Sequence, residues 1–134
     1  MANPRNLPAS PDLGLLFLRV AGALMLFFVH GLPKAMDYTG QLAQIEDPFG
    51  LGPHLSLWAA LFAEVVCPVF IALGWHARLA CLPIIVVLAI AMLFVHFGWS
   101  LEQGQFGWLL LIIFITIALC GPGRWRIGKA LGEA

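Results

Sequence analysis

The chain has 134 residues, seven basic and seven acidic side chains, 61% hydrophobic residues and a mean hydropathy of +0.94. Only 10% of its residues are charged, too few to coat a soluble domain of this size, and a net charge of zero gives no electrostatic footprint for nucleic acid. The sequence reads as an all-α membrane protein, one domain over residues 1–134, with the lipid bilayer as its first partner.

The chain opens with three proline pairs, Asn3-Pro4, Leu7-Pro8 and Ser10-Pro11. Apolar runs follow at about 13–33, 54–73, 79–97 and 102–120, each near the roughly 20 residues needed to cross about 30 Å of hydrocarbon. The first is too long for the core of a secretory signal and has no small-residue cleavage site after it, so it is expected to be a retained helix. Gly74, Gly98 and the Gly121-Pro122-Gly123 segment punctuate the ends of the last three runs, because glycine reaches positive φ and proline lacks an N–H. The short second and third connections make consecutive helices antiparallel neighbours, an up-down-up-down bundle. Pro68 and Pro83 fall inside the second and third runs, where each frees a carbonyl that must find another donor or leave a kink.

Charge placement sets the expected orientation. Arg5, Arg78, Arg124, Arg126 and Lys129 lie on one side; Lys34, Asp37, Glu46, Asp47 and Glu102 lie on the other. Cationic loops are retained in the cytoplasm, so both termini are expected there. Trp58, Trp99 and Trp108 toward one boundary, with Trp75 and Trp125 at the other, read as interfacial anchors.

Ionisable groups inside a span cost at least ~2.5 kcal/mol each at the bilayer centre, so they face a partner or a ligand. Arg19 lies about 9 Å and Glu64 about 13 Å from the same end of the bundle by helical rise, which makes an Arg19–Glu64 ion pair the simplest arrangement. That pair either staples the helices or lines a polar pocket. His30 follows Arg19 by eleven residues and Lys34 by fifteen, which extends one polar stripe along the first helix. His96 closes the third run near the same boundary as His30. The two histidines are candidate donors to a carbonyl oxygen or proton carriers, but they lack the supporting pattern of a haem site. Arg19, His30, Lys34, Glu64 and His96 are thus the candidate ligand-binding residues. Cys67, Cys81 and Cys120 stand singly in apolar sequence and read as small hydrophobes, so no metal site is expected. There is no phosphate-binding loop, dinucleotide fingerprint or nucleophile elbow.

Leu18-Arg19-Val20 with Gly22, Phe28-Val29-His30-Gly31 with Lys34, Phe62-Ala63-Glu64, the run from Leu73-Gly74-Trp75 through Arg78-Leu79-Ala80, and Gly121-Pro122-Gly123-Arg124-Trp125 together resemble the DoxX family of small bacterial membrane proteins. The resemblance implies a four-helix membrane protein akin to subunits of thiosulfate:quinone oxidoreductase and quinol oxidase, with relatives linked to oxidative stress. It aligns Arg19, His30, Gly31, Lys34, Glu64 and Arg78 with the family's recurring polar positions. The tail departs from the family pattern: Trp125 is followed by Arg126-Ile127-Gly128, with no acidic residue there. A redox-complex subunit binding quinone among its helices is one expectation. A non-catalytic scaffold or small-solute transporter, its buried charges structural, is the other. The sequence supplies no electron carrier of its own, and a bundle this small is expected to join a partner subunit or a second copy.

Overall fold

The computed structural model describes residues 10–127; Arg5, Lys129 and the first two proline pairs lie outside the described residues. The chain runs α1 (Pro11–Met36), a short α2 (Tyr38–Gln44), α3 (Pro53–Leu73), α4 (Ala77–Val95) and α5 (Leu101–Cys120). All but α2 are long and apolar enough to cross a membrane, and their ends fall within three residues of those the sequence predicts. α1 and α4 each pack on both α3 and α5, closing an antiparallel four-helix ring. Leu26, Ile71, Ile84 and Phe114, one from each spanning helix, are fully buried at its centre. The outside is apolar as well, with Phe17, Leu79, Phe106 and Leu119 exposed, as a lipid-facing surface requires. Cys67 and Cys81 are in the core, whereas Cys120 is exposed at the end of α5.

Helix ends follow local chemistry. Ser10 caps α1, its Oγ accepting from the Leu13 N–H at 3.3 Å, with Pro11 in the first turn. Ser100 and Gln103 form a reciprocal capping box on α5. In the connection between α1 and α3, Asp47 accepts from the N–H groups of Gly52 at 2.8 Å and Leu51 at 2.9 Å and from Ser56 Oγ at 3.0 Å. The Gly52 N–H first, then Leu51 and Ser56, hold its carboxyl below the usual range. Phe49 from the same loop packs edge-on against Phe94 of α4, which ties the loop to the bundle.

Three π-helical turns interrupt the spans, at Phe27–Gly31, Phe62–Val66 and Ala91–Val95. The first two share a cause. In each, one residue separates the turn from a proline, Pro33 or Pro68, which cannot return an N–H to the carbonyl four residues back and so favours a local shift to i→i+5 bonding. Pro68 in this way leaves the Glu64 carbonyl without its α-helical donor, and Gly31 lies against that carbonyl. A Cβ on Gly31 would fall 2.8 Å from the Glu64 carbonyl carbon and closer still to its oxygen. The two π-turns therefore cross where only glycine fits. Gly31→Ala is expected to lower stability by ~1–3 kcal/mol through overpacking against rigid backbone. Gly14→Ala, in α1 where nothing lies within 4 Å, should leave stability unchanged or raise it by up to ~1 kcal/mol. Parallel unfolding of both variants in detergent checks the contrast; equal effects would remove the close crossing as its cause.

Candidate functional site: an arginine clamp and a lysine–glutamate centre

The four carbonyls that end α3 all have partners, and their disposition places Arg19. Gly74, at φ 76°, turns the chain in a Schellman motif: the Trp75 N–H returns to the Phe70 carbonyl and the Gly74 N–H to Ile71, each at 3.0 Å. The Phe70 and Trp75 rings meet edge-on at 5.2 Å, the apolar contact that accompanies this motif. The Leu73 carbonyl accepts from the Ile127 N–H at 3.0 Å. The Ala72 carbonyl accepts from Arg19 Nη2 at 3.5 Å.

Arg19 is 2% exposed, and its guanidinium also donates to the carbonyls of Pro122 and Trp125, the latter at 2.5 Å. One side chain from α1 thus binds the end of α3 and the segment that follows α5. A Cβ on Gly74 would fall 3.1 Å from Arg19 Cζ, so the glycine also leaves room for the guanidinium. The partial negative charge at helix C-termini favours a cation here. The planar fork serves three acceptors in a way a lysine ammonium would not.

Glu64, 6% exposed, pairs elsewhere. Lys34 Nζ lies 2.8 Å from its Oε2 and donates to the His30 carbonyl at 3.3 Å. The expected Arg19–Glu64 ion pair does not form, and the reason is side-chain direction. Helical side chains lean toward their own N-terminus, so on antiparallel helices Arg19 and Glu64 lean apart. Arg19 reaches down to Ala72, eight residues or about 12 Å along α3 from Glu64. Glu64 reaches up to Lys34, which itself leans back to meet it.

The predicted polar stripe does face inward but divides into two centres. Arg19 holds the end of the bundle that carries the chain's tail. Lys34 stands near the opposite end and pairs with Glu64 at mid-span, while the His30 carbonyl accepts from the same ammonium. His96 is not drawn into either centre: it stacks on Trp99, ring centroids 3.7 Å apart. The acceptors of Arg19 are backbone carbonyls, which no residue type announces; Gly74 and the Gly121-Pro122-Gly123 turn are their only sequence signal. Among the described residues no three His, Cys, Asp or Glu side chains converge as a metal site would need. The chemistry on offer is an ammonium, a carboxylate and an imidazole on two facing helices.

A family model described as DoxX matches residues 14–97, more than half of the chain. The chain belongs to the DoxX family. The match includes Arg19, His30, Lys34, Glu64 and His96 and stops before α5, so two of the three carbonyls held by Arg19 lie beyond it. The chain is also 29% identical over 125 residues to the inner membrane protein YphA of Escherichia coli (strain K12), covering 86% of this DoxX chain and 88% of that protein. No solved structure matches it.

A double-mutant cycle separates the two centres. Lys34→Met and Glu64→Gln should couple by ~0.5–3 kcal/mol, each single change costing more than its share because it strands a polar partner. Arg19→Met and Glu64→Gln should instead add within ~0.5 kcal/mol. Coupling of Glu64 to Arg19 rather than to Lys34 would reverse the assignment.

Proposed function

We propose that this integral membrane protein is a subunit of a quinone-linked redox complex in the bacterial inner membrane, and that Lys34, Glu64 and His30 hold the polar head of the quinone. The observation that carries this reading is the ion pair itself: a carboxylate and an ammonium, both within membrane spans, meet where two π-turns cross, and His30, whose carbonyl accepts from the same ammonium, stands on one of those turns. Buried charges in spans mark ligand or proton sites more often than lipid-facing structure, and π-turns recur at functional sites. A quinone needs an apolar surround and one or two donors to its oxygens. The Lys34 ammonium and the His30 ring can supply the donors, and the Glu64 carboxylate can take up or release a proton at mid-span. The kinship with DoxX-type subunits supports the same class of role. With no electron carrier of its own, the chain would take electrons from a partner subunit.

The inner-membrane location rests on the four spans and on the likeness to a protein named for that membrane. The orientation rests on Arg78, Arg124 and Arg126 at the end that carries the tail, opposite Asp37, Glu46, Asp47 and Glu102, which puts the arginines in the cytoplasm.

A second reading is favoured by the 2.8 Å contact between Lys34 and Glu64, which leaves each charge largely satisfied by the other, as a purely structural staple would. Purification in mild detergent, followed by quinone extraction, separates the two. The quinone reading expects co-purified quinone in the wild type and at least about a tenfold loss in Lys34→Met and His30→Ala that still fold. Protein that carries no quinone and does not bind added decylubiquinone would leave the staple. A cytoplasm-active reporter fused after residue 134 should be active; a silent one would invert the orientation.

A further inference from the structure

The two ends of the bundle are built differently. The segment 121–127 leaves α5, lies across the tail end and touches the other three spanning helices. Its Pro122 and Trp125 carbonyls take the Arg19 guanidinium of α1, and its Arg124 N–H donates to Asp12 Oδ1 at 2.9 Å. Its Ile127 N–H closes the Leu73 carbonyl of α3 at 3.0 Å. A Cβ on Gly121 would fall 3.0 Å from Arg78 Nε, so the strap packs close on α4 as well. Gly121 and Pro122 are themselves buried.

Inward of this strap, between Ala72 and Glu64, lies a layer about 12 Å deep. Ala23, Leu26, Cys67, Ile71, Ile84 and Phe114 fill it, none more than 2% exposed. The buried cluster they belong to contains no carboxylate, imidazole or hydroxyl, and an ion or water molecule meets nothing there that replaces its hydration. Below the layer stands Arg19, a buried fixed positive charge that keeps its proton and repels cations. Asp12, the carboxylate at this end, is held by the Arg124 N–H.

The other end has a different chemistry. Lys34 is two residues from the end of α1 and keeps 19% of its side chain exposed. A lysine so near a helix end can swing its ammonium out to the interface on its four-carbon stem. That movement uncovers Glu64, whose Oε2 the ammonium otherwise holds at 2.8 Å. Groups that bind and release protons stand on the same face: Asp37, three residues after Lys34, and His54, whose Nδ1 meets the Tyr38 hydroxyl at 3.1 Å.

We infer that the Lys34–Glu64 centre is one-sided: protons and small water-soluble solutes reach it from the face that carries α2, with Lys34 as the moving gate, while the strap and the apolar layer close it from the tail. The inference rests on the reading of this pair as a ligand centre and adds the side from which it is served. In the orientation proposed above that face is the outer one, so protons gained or lost by a quinone at Glu64 pass there and not to the cytoplasm. A purely structural staple would keep Lys34 fixed and the centre closed from both ends.

Thiol labelling in the membrane tests this. The probe is 2-sulfonatoethyl methanethiosulfonate, a small anion that does not cross bilayers, applied to cells expressing the full chain and to vesicles inverted from them. Thr39→Cys in α2 and the native Cys120, exposed at the end of α5, mark the two faces. In a Cys120→Ser background, where Cys67 and Cys81 are buried, Glu64→Cys should react at least about tenfold faster from the Thr39 side than from the Cys120 side. Ala23→Cys, within the apolar layer, should react from neither. Ala60→Cys, one turn from Glu64 toward α2, serves if Glu64→Cys does not accumulate. Labelling of Glu64→Cys from the tail side, from both sides alike or from neither would overturn the inference, as would a reactive Ala23→Cys. Quinone retention is read separately: one-sided labelling without bound quinone removes the quinone and keeps the sidedness, and bound quinone with two-sided labelling does the reverse.

Discussion

The end of α3 sets the constraint on which the rest of the bundle depends. A helix leaves its last four carbonyls unsatisfied, and in a membrane no water is at hand to serve those that lie below the surface. Here two are closed by the Schellman turn at Gly74, one by the Ile127 N–H and one by Arg19. Because the same guanidinium also takes the Pro122 and Trp125 carbonyls, α1, α3 and the segment after α5 meet at a single cation. That fixes the vertical register of α1 against α3: the Arg19 side chain reaches down to the Ala72 carbonyl, and twelve residues further along α1 Gly31 lies against the Glu64 carbonyl.

The register creates the second centre. With Arg19 occupied by carbonyls, Glu64 is left to Lys34, at a crossing made tight by Gly31 and made irregular by Pro33 and Pro68. A lysine–glutamate pair differs from an arginine clamp in what it can do. The clamp's two terminal nitrogens donate to rigid backbone carbonyls, so its role is to hold. An ammonium on a flexible stem beside a carboxylate can be redirected to a ligand oxygen at the cost of one ion pair, part of which the ligand returns. The division of labour between holding at one end and exchange at the other is what gives the proposed quinone role its location.

Much of this was legible in the residues. Four apolar runs of spanning length, punctuated by Gly74 and the Gly-Pro-Gly turn, specify four antiparallel helices, and the eleven- and fifteen-residue intervals from Arg19 correctly place His30 and Lys34 on one inward stripe. The pairing of the charges was not legible from depth alone. Depth counted from the ends of apolar runs treats side chains as radial, whereas they lean toward their own helix N-termini, which separates Arg19 from Glu64 and joins Glu64 to Lys34. Pro33 and Pro68 stand at equal spacing after the two π-turns, a signal present in the sequence that matters only once the turns are seen to cross. The acceptors of Arg19 depend on backbone positions that side-chain identity does not encode. His96 stacks on the neighbouring Trp99 ring, a contact three residues away that the sequence reading did not weigh.

Amide hydrogen exchange in lipid nanodiscs tests the central claim, that Arg19 ties the end of α3 to the segment after α5, most directly. Arg19→Met should sharply accelerate exchange at Ile127, whose N–H bonds the Leu73 carbonyl, and through residues 123–127, while amides around Glu64 keep their protection. Arg19→Lys should restore only part of it, since three donors on one nitrogen cannot span carbonyls that the guanidinium reaches from two. Unchanged exchange at Ile127, or a loss of protection centred on Glu64, would contradict the account.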